Sequence, residues 1–301
     1  MKRTNISNSA NVDSTEKYTD EQRIISICYG YGGLERGVSK IIPIRPVAYV
    51  EIEAFQCFNL VSAMEADLVD PAPVWTDVKT FDGNPFRGKV HGIIGGYPCQ
   101  GESYAGKRQL WNDERFLFPH IERIIGAVRP VWCFFENVEG HLSGTFPYVL
   151  DSLQKMGYNV EAGIFSAEEA GAPHKRKRLF ILACMGDSKI FNGKRLDYKS
   201  KNGKIKTGRT GKKFSDSKRI GYIESEQKPE SGQSCKNGYK WPAGRGKKQF
   251  EWEEPRTVEP GVGCTVNGYN FKTELLRQYG NGVVSQTAAI AFKTLLDRIS
   301  N

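Results

Sequence analysis

The sequence predicts an α/β fold, a mostly parallel sheet with helices on both of its faces. Three observations carry the prediction. Short apolar runs alternate with stretches of helical periodicity from residue 24 to residue 183. A glycine cluster, Gly30, Gly32 and Gly33, follows the first apolar run. Two later runs end in segments rich in chemistry, Gly95-Gly96-Tyr97-Pro98-Cys99-Gln100 and Glu136-Asn137-Val138. Open α/β sheets place ligands at the carboxyl ends of their strands, so residues at such ends are the candidates for function.

In chain order, residues 24–28 read as a buried strand, 30–33 as a tight turn and 34–41 as the helix leaving it. Residues 47–50 form a second strand, followed by a helix over 54–64, and Asp77 stands just past a further strand. Residues 90–94 are a strand, and 114–128 keep a helical period that stops before Pro130. Residues 131–135 are a strand, 149–156 a helix stopped by Gly157, and 179–183 the final strand of this half. Past Gly186 the texture changes to Lys, Gly, Ser and Asn with little periodicity, and a helix is predicted over 285–299. The expected organisation is a disordered polar lead (1–20), a main domain (21–186), a basic insert (187–251) and a segment returning to the main domain (252–301).

A chain of 301 residues can bury a core without disulfides or metals. Its seven cysteines are odd in number and form no Cys-x-x-Cys pair, which points to a reducing cytoplasm and to no metal site. No apolar leader is visible, and no apolar run approaches the roughly 20 residues needed to cross a bilayer. The net charge is +9, but it is not evenly spread. Residues 189–250 hold 18 Lys or Arg against 5 Asp or Glu, so the rest of the chain is net negative. Such a block is the footprint of a polyanion binder, or else a solvated loop; composition leaves both open.

The candidate residues follow from the strand ends. The glycine turn lets backbone approach a ligand, or simply turns the chain. Glu51 stands where nucleoside-binding folds keep an acid for ribose hydroxyls, and Asp77 either meets an adenine amino group or caps a turn. Cys99 presents a thiol in a glycine-flanked loop at a strand end. Glu136 faces the same crevice. Arg176 and Arg178, spaced by two in an extended segment, point the same way.

In this order and spacing, the glycine turn, the Pro98-Cys99-Gln100 and Glu136-Asn137-Val138 motifs, Arg176-Lys177-Arg178 and Gly280-Asn281-Gly282-Val283-Val284 resemble those of the DNA cytosine-5 methyltransferases. The resemblance covers about 23–186 and again about 252 to the end, and the length is similar to that of compact bacterial and phage members. It implies a Rossmann-like, S-adenosyl-L-methionine-dependent methyltransferase fold with a small basic target-recognition region. The implied activity is transfer of a methyl group to C5 of a flipped cytosine through a covalent adduct with Cys99, assisted by Glu136, Arg176 and Arg178.

The implied cofactor residues are Ser26, Tyr29, Gly30, Gly32, Gly33, Glu51, Ile52, Asp77, Val78, Pro98, Asn281 and Gly282. The implied partner is double-stranded DNA, met by a monomer in a bacterial or phage-infected cytoplasm. A cognate restriction endonuclease fits this setting without being required. The sequence departs from the family pattern at Ser26 and Cys28, where Asp and Phe are usual. It departs again at Gly101-Glu102-Ser103 in place of Pro-Phe-Ser, and at His174 in place of Gln. Three rivals share some of these features: an RNA-directed relative, an inactive DNA-binding relative, and a dehydrogenase built on the same glycine turn.

Overall fold

The computed structural model describes residues 21–98, 116–142, 144–185, 248, 250–252 and 280–300. The expected lead over 1–20, nearly all of the basic insert, and Cys99 with the loop after it lie outside the described residues.

The described chain runs β1 (Gln22–Ile27), α1 (Gly33–Val38), β2 (Ile44–Val50), α2 (Ala54–Glu65), β3 (Val74–Trp75) and β4 (Gly92–Gly95). It continues with α3 (Phe118–Val128), β5 (Trp132–Val138), α4 (Phe146–Lys155), β6 (Tyr158–Phe165), β7 (Arg178–Met185) and a last helix, α5 (Ser285–Ile299). The strands form one sheet in the order β3-β2-β1-β4-β5-β7-β6. The pairs from β3 through β5 are parallel, whereas β7 runs antiparallel to both β5 and β6.

Both faces of the sheet are covered, which is why its strands read as nearly continuous apolar runs. Along each strand the side chains still alternate between two cores. Ile25, Ile27, Ile93, Cys133, Phe135, Leu179 and Ile181 pack with Phe118, Ile121 and Ile125 of α3 and with Val149 and Leu153 of α4. Ile24, Ile94, Trp132, Phe134, Phe180 and Leu182 face the other way, against Leu34 and Val38 of α1 and Ala288, Ala291, Phe292 and Leu295 of α5. Among the described residues no helix is long and apolar enough to cross a membrane.

The strand-and-helix alternation holds, with three differences. Strand β5 continues past residue 135 to Val138, so Glu136 lies within a strand rather than after one. Helices α3 and α4 start at Phe118 and Phe146, each with a proline in its first turn, where a missing N–H costs nothing. Strand β6 escapes the sequence reading. Its half-buried edge position and interior Gly163 erase the alternating pattern.

Helices α1 and α5 cross closely because α1 carries Gly37 there. A Cβ at Gly37 would stand 2.5 Å from Ala288 Cβ and 2.8 Å from the Ser285 carbonyl oxygen. Neither backbone can retreat without moving the glycine turn or opening the second core. Gly37→Ala is therefore expected to destabilise the fold by about 1–3 kcal/mol, measured by chemical denaturation, although alanine is the better helix former.

Candidate active site at the carboxyl edge of the sheet

From β1 the chain builds outward to β2 and β3, then returns to place β4 and β5 on the other side of β1. The crevice at such a reversal, outside the carboxyl ends of β1 and β4, is where open α/β sheets hold their ligands. The described members of the predicted set lie along this edge, whereas Cys99 falls outside the described residues.

Behind β1, Gly30 and Gly32 adopt left-handed φ of +60° and +78°. A Cβ on Gly30 would enter open space, whereas one on Gly33 would stand 2.2 Å from the Val283 carbonyl oxygen. Gly33 thus serves a close crossing with the C-terminal segment. At the end of β2, the buried Glu51 carboxylate accepts the Gly30 N–H at 2.9 Å and the Glu53 N–H at 3.0 Å, one on each oxygen. Each oxygen keeps a second lone pair. Beside it, Ile52 is 69% exposed, a large apolar side chain left at the crevice edge. Past β3, Asp77 Oδ1 accepts the Lys79 N–H at 2.9 Å, so this carboxylate shapes the local turn. Val78 next to it is buried.

On the other side of β1, Tyr97 is buried and Pro98, the residue before Cys99, is exposed. Glu136 in β5 is buried, and its Oε1 lies 3.1 Å from Arg178 Nε. The pairing is a consequence of register: Val138 stands opposite Arg178 across the antiparallel β5–β7 ladder, and Glu136 is one pleat away on the same face. Burial raises the Glu136 carboxyl to about 7, and the positive charges of Arg178 and Arg176 oppose that rise. A carboxyl poised near neutrality can give or take a proton.

Arg176 has a left-handed φ of +38°, and its Nη2 donates to the carbonyls of Gly280, at 2.8 Å, and Gly282, at 2.5 Å. The Tyr31 hydroxyl donates to the next carbonyl, that of Val283. A Cβ on Gly282 would overlap the Tyr31 ring. Asn281, exposed at the edge, is thus carried on a backbone gripped from two sides. This grip is what brings Asn281 and Gly282 to the crevice.

The four described cysteines are kept as neutral thiols. Burial pushes Cys28 and Cys184 up to about 12, and it raises Cys57 and Cys133 as well. None is suited to be a nucleophile at neutral pH. Among the described residues, no three His, Cys, Asp or Glu side chains stand together as a metal site.

Sequence reasoning missed Tyr31 and Glu35. Glu35, in the first turn of α1, is buried beneath the glycine turn. Its Oε1 accepts the hydroxyl of the fully buried Ser26 at 2.5 Å, and its Oε2 has no hydrogen-bond partner. The usual strand acid is Ser here, and the carboxyl arrives from the helix instead. The signal was present: an acid on the inward face of a short helix whose other inward positions are Leu34 and Val38.

Burial raises Glu35 from its ordinary 4.5 to about 7, against the Ser26 hydrogen bond. The folded chain therefore binds a proton that the unfolded chain has released. Stability contributed by this group is full below about pH 4.5 and is lost as pH rises through about 7. Glu35→Gln should remove that share of the slope. Its melting temperature, followed by circular dichroism, should exceed that of the natural protein by several degrees at pH 8 and lose that margin at pH 4.5. Parallel pH profiles for the two proteins would contradict the assignment.

The chain matches the model of the C-5 cytosine-specific DNA methylase family over residues 22–263, well over half its length. The type II methyltransferase M1.ScrFI of Lactococcus lactis subsp. cremoris is 29% identical over 184 residues, 54% of this chain and 42% of that protein. The type II methyltransferase M.Eco47II of Escherichia coli is 28% identical over 237 residues, 76% of this chain and 52% of that protein. The chain thus spans about half the length of these relatives, or less. Among solved structures, the Entamoeba histolytica methyltransferase EhMeth is 20% identical over 55% of this chain and 53% of that one, with a TM-score of 0.48. With the match running from β1 through the catalytic-edge segments into the region past β7, this chain belongs to the C-5 cytosine-specific DNA methylase family.

Proposed function

We propose that this chain methylates C5 of cytosine in a specific sequence of double-stranded DNA, with Cys99 as covalent nucleophile and S-adenosyl-L-methionine as methyl donor. The observation that carries the reading is the Glu136–Arg178 pair at the sheet edge, its carboxyl buried close to Gly96 and poised near neutrality. A ring nitrogen and an exocyclic carbonyl of one flipped base need such a pair, one group to share a proton and one to hold an oxygen.

The residues present fit the cofactor. Glu51 keeps lone pairs for ribose hydroxyls, the exposed Ile52 offers an apolar face for adenine, and Gly30 opens space above the turn. Asp77, Val78, Asn281, Gly282, Tyr29 and Pro98 complete the set, and Ser26 contributes through Glu35. When bound, S-adenosylmethionine supplies an electrophilic methyl group on a sulfonium.

The chain's own residues do the rest. The Cys99 thiolate adds to C6, and the electron pair of the C5–C6 bond moves toward C5. Glu136 shares its proton with N3, which relieves the negative charge that would otherwise gather on the ring. Arg178 holds the O2 carbonyl and keeps the Glu136 carboxylate in place after the proton leaves. Arg176 holds the C-terminal segment that carries Asn281. Once C5 has taken the methyl group, a solvent water takes the C5 proton, its electron pair restores the C5–C6 double bond as the Cys99 thiolate is expelled, and N3 returns its proton to Glu136.

The basic block over 189–250 supplies phosphate contacts, so binding weakens steeply with salt. The enzyme acts as a monomer with its DNA in a bacterial or phage-infected cytoplasm, with or without a cognate restriction endonuclease.

The test is bisulfite sequencing of plasmid DNA from cells that lack cytosine methylation of their own and express this chain, beside a Cys99→Ser control. Protected cytosines in one short sequence context, absent from the control, are expected. No protected cytosine, with the protein expressed in soluble form, would overturn the reading. Glu136→Gln keeps the shape of the carboxyl but not its titration, and should slow transfer about 10²–10⁴-fold in a single-turnover assay.

A further inference from the structure

The segment that carries Glu136 also holds a buried histidine for which the proposed chemistry has no use. His141 lies in the 3-10 turn Glu139–Leu142 directly after β5 and is fully buried. Its Nε2 meets the Tyr97 hydroxyl at 3.0 Å, and its Nδ1 meets the Thr145 hydroxyl at 2.9 Å. Tyr97 and Thr145 are themselves buried, so the three side chains form one buried line. A hydroxyl can donate or accept, so each can take the role complementary to the ring nitrogen that it faces.

Tyr97 is held at its other end too. Its carbonyl accepts a hydrogen bond from Asn137 Nδ2 at 3.2 Å, and Asn137 Oδ1 accepts the Val138 N–H at 2.8 Å. Its ring packs against Phe118, Phe135 and His141. Residue 97 is therefore clamped by its hydroxyl and by its carbonyl, and both clamps come from the stretch that begins at Glu136. Pro98 follows, with its φ fixed by the ring, so the clamp is passed on to the next peptide with little slack. An apolar side chain would fill the place of His141 equally well. What a histidine adds is direction: two hydrogen bonds that fix where the Tyr97 ring may stand.

We propose that His141 is a positioning residue for methyl transfer: with Thr145 behind it and Asn137 beside it, it fixes Tyr97 and so sets the spacing between the Pro98–Cys99 junction and Glu136. The inference rests on the roles given above to Cys99 and Glu136. His141 itself touches neither base nor cofactor. Its effect is on geometry, where displacements on the order of 1 Å can cost about 10²-fold in rate.

The experiment compares Tyr97→Phe, His141→Gln, His141→Asn and the double variant Tyr97→Phe/His141→Asn with the natural protein and with Cys99→Ser. Three quantities are read: single-turnover transfer of tritiated methyl to unmethylated plasmid DNA, equilibrium binding of S-adenosylmethionine, and thermal unfolding. A glutamine amide reaches to about the place of Nε2, and an asparagine amide only to that of Nδ1. Tyr97→Phe and His141→Asn should each slow transfer about tenfold, while His141→Gln stays within about threefold of the natural rate. The double variant should be no slower than His141→Asn alone, because both changes delete the same hydrogen bond. Cofactor affinity should be unchanged throughout, which a general loosening of the fold would not allow.

A natural rate for Tyr97→Phe, equal losses for Gln and Asn at 141, or multiplying losses in the double variant would overturn the inference. Silence of the natural protein on DNA overturns the functional reading and this inference together. Turnover that Cys99→Ser abolishes, but that residues 97 and 141 leave untouched, overturns this inference alone.

Discussion

A parallel sheet gathers the carboxyl ends of its strands on one edge, and a residue at the start of a strand ordinarily falls on the opposite edge. Arg178 is the first residue of β7, yet it meets Glu136 at the carboxyl edge of the parallel strands, because β7 runs antiparallel to β5. Reversing that one strand would carry the guanidinium across the sheet and leave a buried carboxyl without its partner. Removing one member of a buried ion pair costs far more than the pair contributes to stability. Here the pair is balanced: burial pushes the Glu136 carboxyl up, the two arginines pull it down, and the outcome is near neutrality. The antiparallel β5–β7 ladder is thus what places the guanidinium against the buried carboxyl.

The second dependence is on the far end of the chain. One face of the sheet is covered only when α5 packs on Trp132, Phe134 and α1. The same return brings Gly280–Val283 against the glycine turn, where Tyr31, Gly33 and Arg176 grip its backbone. The glycine turn and the C-terminal segment are therefore one packing unit. Gly33 is a glycine because backbone crosses there, Gly282 because the Tyr31 ring lies against it, and Gly30 faces open space. Three glycines that look alike in sequence have three different physical reasons.

Part of the candidate site was legible before the fold. Glu51, Cys99 and Glu136 follow apolar runs in the sequence, and the carboxyl ends of strands are where an α/β sheet exposes side chains to a ligand, whereas Arg176 and Arg178 precede theirs. What stayed hidden were residues whose meaning lies in a partner distant in sequence. Glu35 reads as an ordinary helix acid until Ser26 is seen beneath it. Tyr31 reads as a turn residue until the Val283 carbonyl reaches its hydroxyl. His141 carries no signal in the sequence, and its role emerges only where Tyr97 and Thr145 meet its two ring nitrogens.

The sequence by itself determined the layer architecture and named the candidate groups at the strand ends. Apolar periodicity and strand-end composition are local, and a single chain displays them in full. Only the tertiary structure decided the direction of β7, the existence of β6 and the side from which the buried carboxyl under the glycine turn arrives. Those depend on which strand pairs with which, and pairing energy comes from neighbours across the sheet rather than along the chain. Strand β6 shows the limit most plainly: as a half-buried edge strand interrupted by Gly163, it owes its conformation to the β7 ladder, which no pattern within its own eight residues reveals.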